Sequence, residues 1–180
     1  MARGLLIIDI QNDYFPDGAM PLVGPEKAAA VASDLLERFR QDGEPVIHIQ
    51  HIWDEEAATF MRPGTPGVQI HASVAPAEGE ALIVKAYPNS FRETSLEATL
   101  KSRGIDELVV AGMMTSMCVD ATVRAANDLG YEVTVVADAC AAPDLEFDGR
   151  LVPGSDVHAA FLAALADSYA TVLKFEDFAG

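Results

Sequence analysis

The chain is predicted to fold as a three-layer αβα domain, a doubly wound, mostly parallel sheet of six strands with helices on both faces. Three observations predict it. Short apolar runs of strand length alternate with stretches of helical periodicity, and parallel strands need such crossovers. Glycines at 43 and 104 stop two of the helical stretches. Reactive side chains (Asp9, Lys85 and Cys118) each stand just past an apolar run, at what a parallel sheet makes one shared edge.

In order, Gly4–Ile10 reads as a buried strand in which Asp9 follows four consecutive apolar residues. The loop 11–18 carries Tyr14 and Phe15, which either wall a pocket or cover the core. Residues 26–40 form an amphipathic helix with Val31, Leu35, Leu36 and Phe39 inward. Residues 45–51 form a second strand whose alternation sets Val46, His48 and Gln50 against Ile47, Ile49 and His51. The connection 52–80 is long for a compact domain, and such loops are usually functional. Residues 81–86 are a third strand ending near Lys85, and 94–103 a helix.

The stretch 106–128 is the most informative. Leu108–Ala111 is a buried strand, Gly112 punctuates it, and Thr115 and Ser116 stand where a helix N-cap belongs. Apolar-face positions at 119, 122, 126 and 129 predict a helix packed on the core. Cys118 then sits in the first helical turn, where the dipole lowers a thiol's pKa. A fifth strand at 132–137, an acidic loop, a helix from 155 or 156 to 167 and a sixth strand at 170–175 complete the chain.

Length and content predict one domain over residues 1–180. Twelve basic against 28 acidic residues give a net charge of −16. That charge disfavours nucleic acid and anionic membranes. No apolar run approaches the ~20 residues of a membrane span. Two cysteines make no disulfide framework, so a reducing cytoplasm is the expected compartment. Asp54, Glu55, Glu56, Asp138, Asp144, Glu146 and Asp148 follow strands two and five, and their field should favour neutral or cationic small-molecule substrates.

Asp9, Lys85 and Cys118 make a coherent chemical set. A thiol supplies the nucleophile, a carboxylate takes its proton, and an ammonium stabilises the developing charge. The segments that carry them, IIDIQNDYF, PGTPGVQIH, VKAYPNSF, VVAGMMTSMCVDATVRAANDLGYEV and ADACAA, resemble the motifs of the isochorismatase-like cysteine hydrolases over nearly the whole chain. The resemblance implies the Rossmann-like fold of that family, with Asp9 as general base, Lys85 as stabiliser and Cys118 as nucleophile. It also implies a cis peptide at Met113–Met114, and an oxyanion hole from the Met114 and Cys118 N–H groups. Phe15, Asn89 and Met114 are expected as pocket wall.

The implied reaction is hydrolysis of an amide, lactam or ureide C–N bond through a thioester. The alternatives are a vinyl-ether hydrolase of the isochorismatase type and an idle binding domain on the same fold. Family members that cleave nicotinamide carry an Asp-x-His pair for a metal after the second strand, where this chain reads HIQHIWDEE. No metal or other cofactor is therefore expected, and His48, His51, His71 and His158 are read as packed or solvent-facing. A homo-oligomer is expected, with Trp53, Phe60 and Met61 offered to a neighbour.

Overall fold

The computed structural model of the protein describes residues 2–178. Strands β1 (Ala2–Ile8), β2 (Val46–His51), β3 (Ala81–Lys85), β4 (Ile105–Met113), β5 (Glu132–Ala141) and β8 (Thr171–Leu173) form one sheet. Its order is β3-β2-β1-β4-β5-β8, and every pairing is parallel. Helices α1 (Pro25–Asp42), α2 (Leu96–Ser102), α3 (Asp120–Asp128), α4 (Gly154–Ser168) and α5 (Phe175–Phe178) cover both faces. The winding reverses between β1 and β4, and doubly wound sheets bind ligands at that switch point, outside the strands' carboxyl ends.

Alternation along the strands divides the core in two. Leu5 and Ile7 face α1 with Leu35, Leu36 and Phe39. Leu6 and Ile8 face the opposite side with Leu96, Leu100, Val119, Val123 and Leu162. Helix α1 starts with Pro25 at its first position and ends at Gly43, whose left-handed φ of 70° lets its N–H reach the Phe39 and Arg40 carbonyls.

Three elements differ from the sequence reading. Strand β5 runs on to Ala141, past the expected end at 137, because its register slips where it pairs beyond Val110 and so reaches Gly112 with Cys140. The acidic loop contains a hairpin, β6 (Leu145–Phe147) and β7 (Arg150–Val152), whose strand pattern is too short to show in the sequence. The sixth strand is only three residues, and the chain turns into α5 at Phe175.

Two packing expectations are also corrected. Leu129 is half exposed, since α3 has already ended at Asp128. Met61 is fully buried, and Trp53 and Phe60 pack on the protein's own core. Met61 is therefore not offered to a neighbour. Buried Asp13 explains this placement: its carboxylate accepts the Met61 N–H at 2.6 Å and the Ala19 N–H at 3.1 Å, drawing the 52–80 connection onto the 11–18 loop. No helix among the described residues is long and apolar enough to cross a membrane.

Candidate active site

Register brings the chemistry together. Ile8 pairs with Ile49 on one side and Gly112 on the other, so the chain leaves β1 and β4 at the same level. Gly112, at φ 152°, lies so close to Ile8 that a Cβ there would collide with the Ile8 carbonyl oxygen. Asp9 follows at φ 50°, in the left-handed region that Asp tolerates better than most residues. Its carboxylate is fully buried, and Lys85 Nζ lies 2.7 Å from Oδ2. Neither Asp9 oxygen has a donor in hydrogen-bond geometry, so the contact is an ion pair with lone pairs left open. Burial works against the Lys85 ammonium, but the Asp9 and Cys118 groups outweigh it and hold its pKa above the ordinary lysine value.

Cys118 enters from β4 through a π-helical turn, Thr115–Val119, which leads directly into α3. The expected N-cap is absent: neither Thr115 nor Ser116 caps the turn, and Met114 occupies the cap position. The Thr115 hydroxyl instead meets His158 Nδ1 at 2.9 Å, tying the Cys118 turn to α4. The Met113–Met114 peptide is cis. A nitrogen of His51, an oxygen of Asp9 and Cys118 Sγ all lie within 4.8 Å of one another. The thiol's pKa is raised, against the expectation from the helix dipole. Burial is the larger cause and the Asp9 charge adds to it, with Lys85 opposing. Cys118 therefore rests as a thiol, and its proton has Asp9 within reach. Cys140 is an inert core thiol, pushed up to about 12 by burial.

Cys118 opens into a cavity of about 280 Å³ lined by Tyr14, His51, Trp53, Phe60, Ala86, Pro88, Met114 and Met117. This lies near the lower end of the ~300–1,000 Å³ of small-molecule sites. A larger hollow, about 410 Å³, lies at the other edge of the sheet by Glu107, Glu132 and Tyr169, away from Asp9, Lys85 and Cys118, so the smaller cavity is the candidate site.

Of the three expected wall residues, Met114 lines this cavity and the other two do not. Phe15 is buried and stacks on His71 with ring centroids 3.8 Å apart, while its neighbour Tyr14 takes the wall. Asn89 accepts the Phe91 N–H at 2.9 Å, which spends its side chain on the turn after β3.

His51 and Gln11 were not singled out by the sequence. His51 is neither merely packed nor turned to solvent: it pairs in register with Lys85, and its Nδ1 lies 3.1 Å from Lys85 Nζ. Gln11 grips it, with Oε1 accepting the His51 N–H at 2.8 Å and Nε2 donating to its carbonyl at 2.9 Å. The signal that could have found both is the strand register, which is invisible without the pairing partner. His48, His71 and His158 lie outside the cavity wall. Asp9, His51 and Cys118 could offer three metal ligands by distance alone. The Lys85 ammonium stands among them, 2.7 Å from Asp9 and 3.1 Å from His51, and would repel a cation.

The family model for the Isochorismatase domain matches residues 3–177. The isochorismatase family protein YddQ of Bacillus subtilis is 53% identical over 178 residues, covering 99% of each chain. The maleamate amidohydrolase of Pseudomonas putida is 34% identical over 149 residues, 74% of this chain and 70% of that one. Among solved structures, an isochorismatase hydrolase from Oleispira antarctica superposes with a TM-score of 0.96 at 50% identity, covering 99% of this chain and 97% of that one.

Proposed function

This chain, a hydrolase, belongs to the isochorismatase family, and from that premise we propose that it cleaves the C–N bond of a small amide, lactam or ureide through a thioester on Cys118. The observation that supports the reading best is the buried meeting of Cys118, Asp9 and Lys85, with Cys118 in the cavity wall. As Sγ attacks the carbonyl carbon, its proton passes to Asp9, and the Lys85 ammonium offsets the negative charge as it shifts from the Asp9 carboxylate towards the sulfur. The carbonyl oxygen becomes an oxyanion, for which the N–H groups of Met114 and Cys118 are the proposed donors. Asp9 then gives the proton to the departing nitrogen and the C–N bond breaks. Water attacks the thioester with Asp9 as base, and the acid leaves as the thiol re-forms.

The walls support a small, largely apolar acyl group, since Trp53, Phe60, Met114 and Met117 offer contact area and no free charge. A vinyl-ether substrate has no acyl carbon for the sulfur to hold, so it leaves the buried thiol without a role. The test is ammonia or ring-opening assays on a panel of primary amides, lactams and ureides. Turnover of at least one should vanish in Cys118→Ala, and turnover that survives the change defeats the reading. A homo-oligomer remains part of this proposal, measured by light scattering at micromolar concentration. A species of only monomer mass counts against it.

A further inference from the structure

Lys85 has three N–H bonds to give. Four acceptors stand within reach: Asp9 Oδ2 at 2.7 Å, the Tyr87 carbonyl at 3.0 Å, His51 Nδ1 at 3.1 Å and the Pro88 carbonyl at 3.2 Å. A proton on His51 Nδ1 would face the ammonium hydrogens. That nitrogen therefore presents its lone pair, and the ring carries its single proton on Nε2. Burial first, and then the Lys85 charge, keep the ring neutral. The Gln11 amide fixes the His51 backbone from both sides.

Nε2 has no partner among the described residues, and His51 lines the cavity beside Cys118. Both Asp9 carboxylate oxygens are buried with no donor in hydrogen-bond geometry, and one of them lies within 4.8 Å of Cys118 Sγ and of a His51 ring nitrogen. One free donor and one free acceptor thus flank the nucleophile. The nitrogen of an intact amide does not satisfy both, because its lone pair is delocalised into the carbonyl and accepts poorly. A water molecule does, donating to Asp9 and accepting from His51.

We propose that His51 Nε2–H holds the water that hydrolyses the thioester, so that His51 serves deacylation and not acylation. In that step the water oxygen bonds to the acyl carbon and the C–S bond breaks. The water proton passes to Asp9 and from Asp9 to the departing Sγ. The inference rests on the thioester reading above.

p-Nitrophenyl acetate separates the two halves, since acylation of a thiol releases p-nitrophenolate and deacylation releases acetate. His51→Phe does not orphan Lys85, which keeps its ion pair with Asp9 and its hydrogen bonds to the Tyr87 and Pro88 carbonyls. His51→Asn retains an N–H donor. In stopped flow, His51→Phe should release one p-nitrophenolate per site at the wild-type rate. Its steady rate should then be slower by at least about tenfold, the scale of one hydrogen bond at a reacting atom. The acetyl adduct should accumulate on Cys118 by peptide mass. His51→Asn should acylate at the wild-type rate and deacylate between the other two, which tests the proposal even if His51→Phe does not fold. Equal slowing of both phases in either variant overturns the role of His51. p-Nitrophenolate release that survives Cys118→Ala, or an acetyl adduct absent from Cys118 in the wild type and both variants, defeats the thioester reading itself.

Discussion

Lys85 Nζ lies 2.7 Å from Asp9 Oδ2, and neither side chain has any exposed surface. Taking both charges out of water costs several kcal/mol per ion, and each is tolerated only because the other is present. Removing one partner leaves a bare buried charge, so Lys85→Met or Asp9→Leu alone should destabilise the fold by about 3–5 kcal/mol. The double variant should lose much less than the sum of the two. Urea unfolding of the four proteins measures the coupling, and additive losses would mean that the pair is not a unit.

Stability should fall on both the acid and the alkaline side. Glu80 takes both Arg40 nitrogens, the Ala77 N–H and His48 Nε2, and the Arg40 bonds chiefly bring its pKa from 4.5 down to about 2. A depressed folded-state pKa stabilises fully above the unfolded value and is lost as pH falls through the folded one. Glu80→Gln should therefore flatten the decline between pH 4.5 and about 2. The buried thiols work in the other direction. Their folded pKa values are raised, so their contribution is full below about 8.5 and declines as pH rises. Cys140→Ala, outside the cavity wall, should flatten that alkaline decline. Unchanged slopes in urea titrations across pH would refute both assignments.

Hydrolysis should proceed without a metal. The Lys85 ammonium lies against two of the nearest candidate ligands, Asp9 and His51, and its charge opposes a cation there. Dialysis against a strong chelator is expected to leave turnover unchanged. A large loss restored by zinc or manganese would show that Lys85 moves aside and that His51 is a ligand.

Charge at the cavity mouth should sort substrates. Asp54, Glu55 and Glu56 are exposed and follow Trp53 in the wall. Two of the other acids serve the fold instead: Asp138 accepts the Phe175 N–H and Asp144 the Gly154 N–H. A cationic amide should therefore be turned over faster than its anionic counterpart at low salt, with the ratio shrinking as salt is added. Replacing Asp54, Glu55 and Glu56 by their amides should remove most of the preference. A preference for the anion would contradict it.

The sequence carried the architecture because local pattern and global topology agree. Apolar runs such as Leu5–Ile8 and Leu108–Ala111 are buried on both faces, as parallel strands must be. Asp9, Lys85 and Cys118 were legible because each follows such a run, and strand ends share one edge. What stayed hidden depends on partners far apart in the chain. The grip of Gln11 on His51 spans 40 residues, and the hydrogen bond of Thr115 to His158 spans 43. Phe15 and Tyr14 are neighbours of similar type, and only the path of the 11–18 loop decides which one walls the cavity. The thiol's raised pKa is hidden from the sequence because the turn's dipole is visible there while the burial that outweighs it is not.

The central claim is that an acyl group passes through Cys118. The most direct test is peptide mass spectrometry on enzyme acid-quenched during turnover of an amide it hydrolyses. The account predicts an acyl adduct on the peptide holding Cys118, none on that holding Cys140, and loss of both adduct and turnover in Cys118→Ala. Full turnover in Cys118→Ala, with no adduct on the wild type, would contradict it.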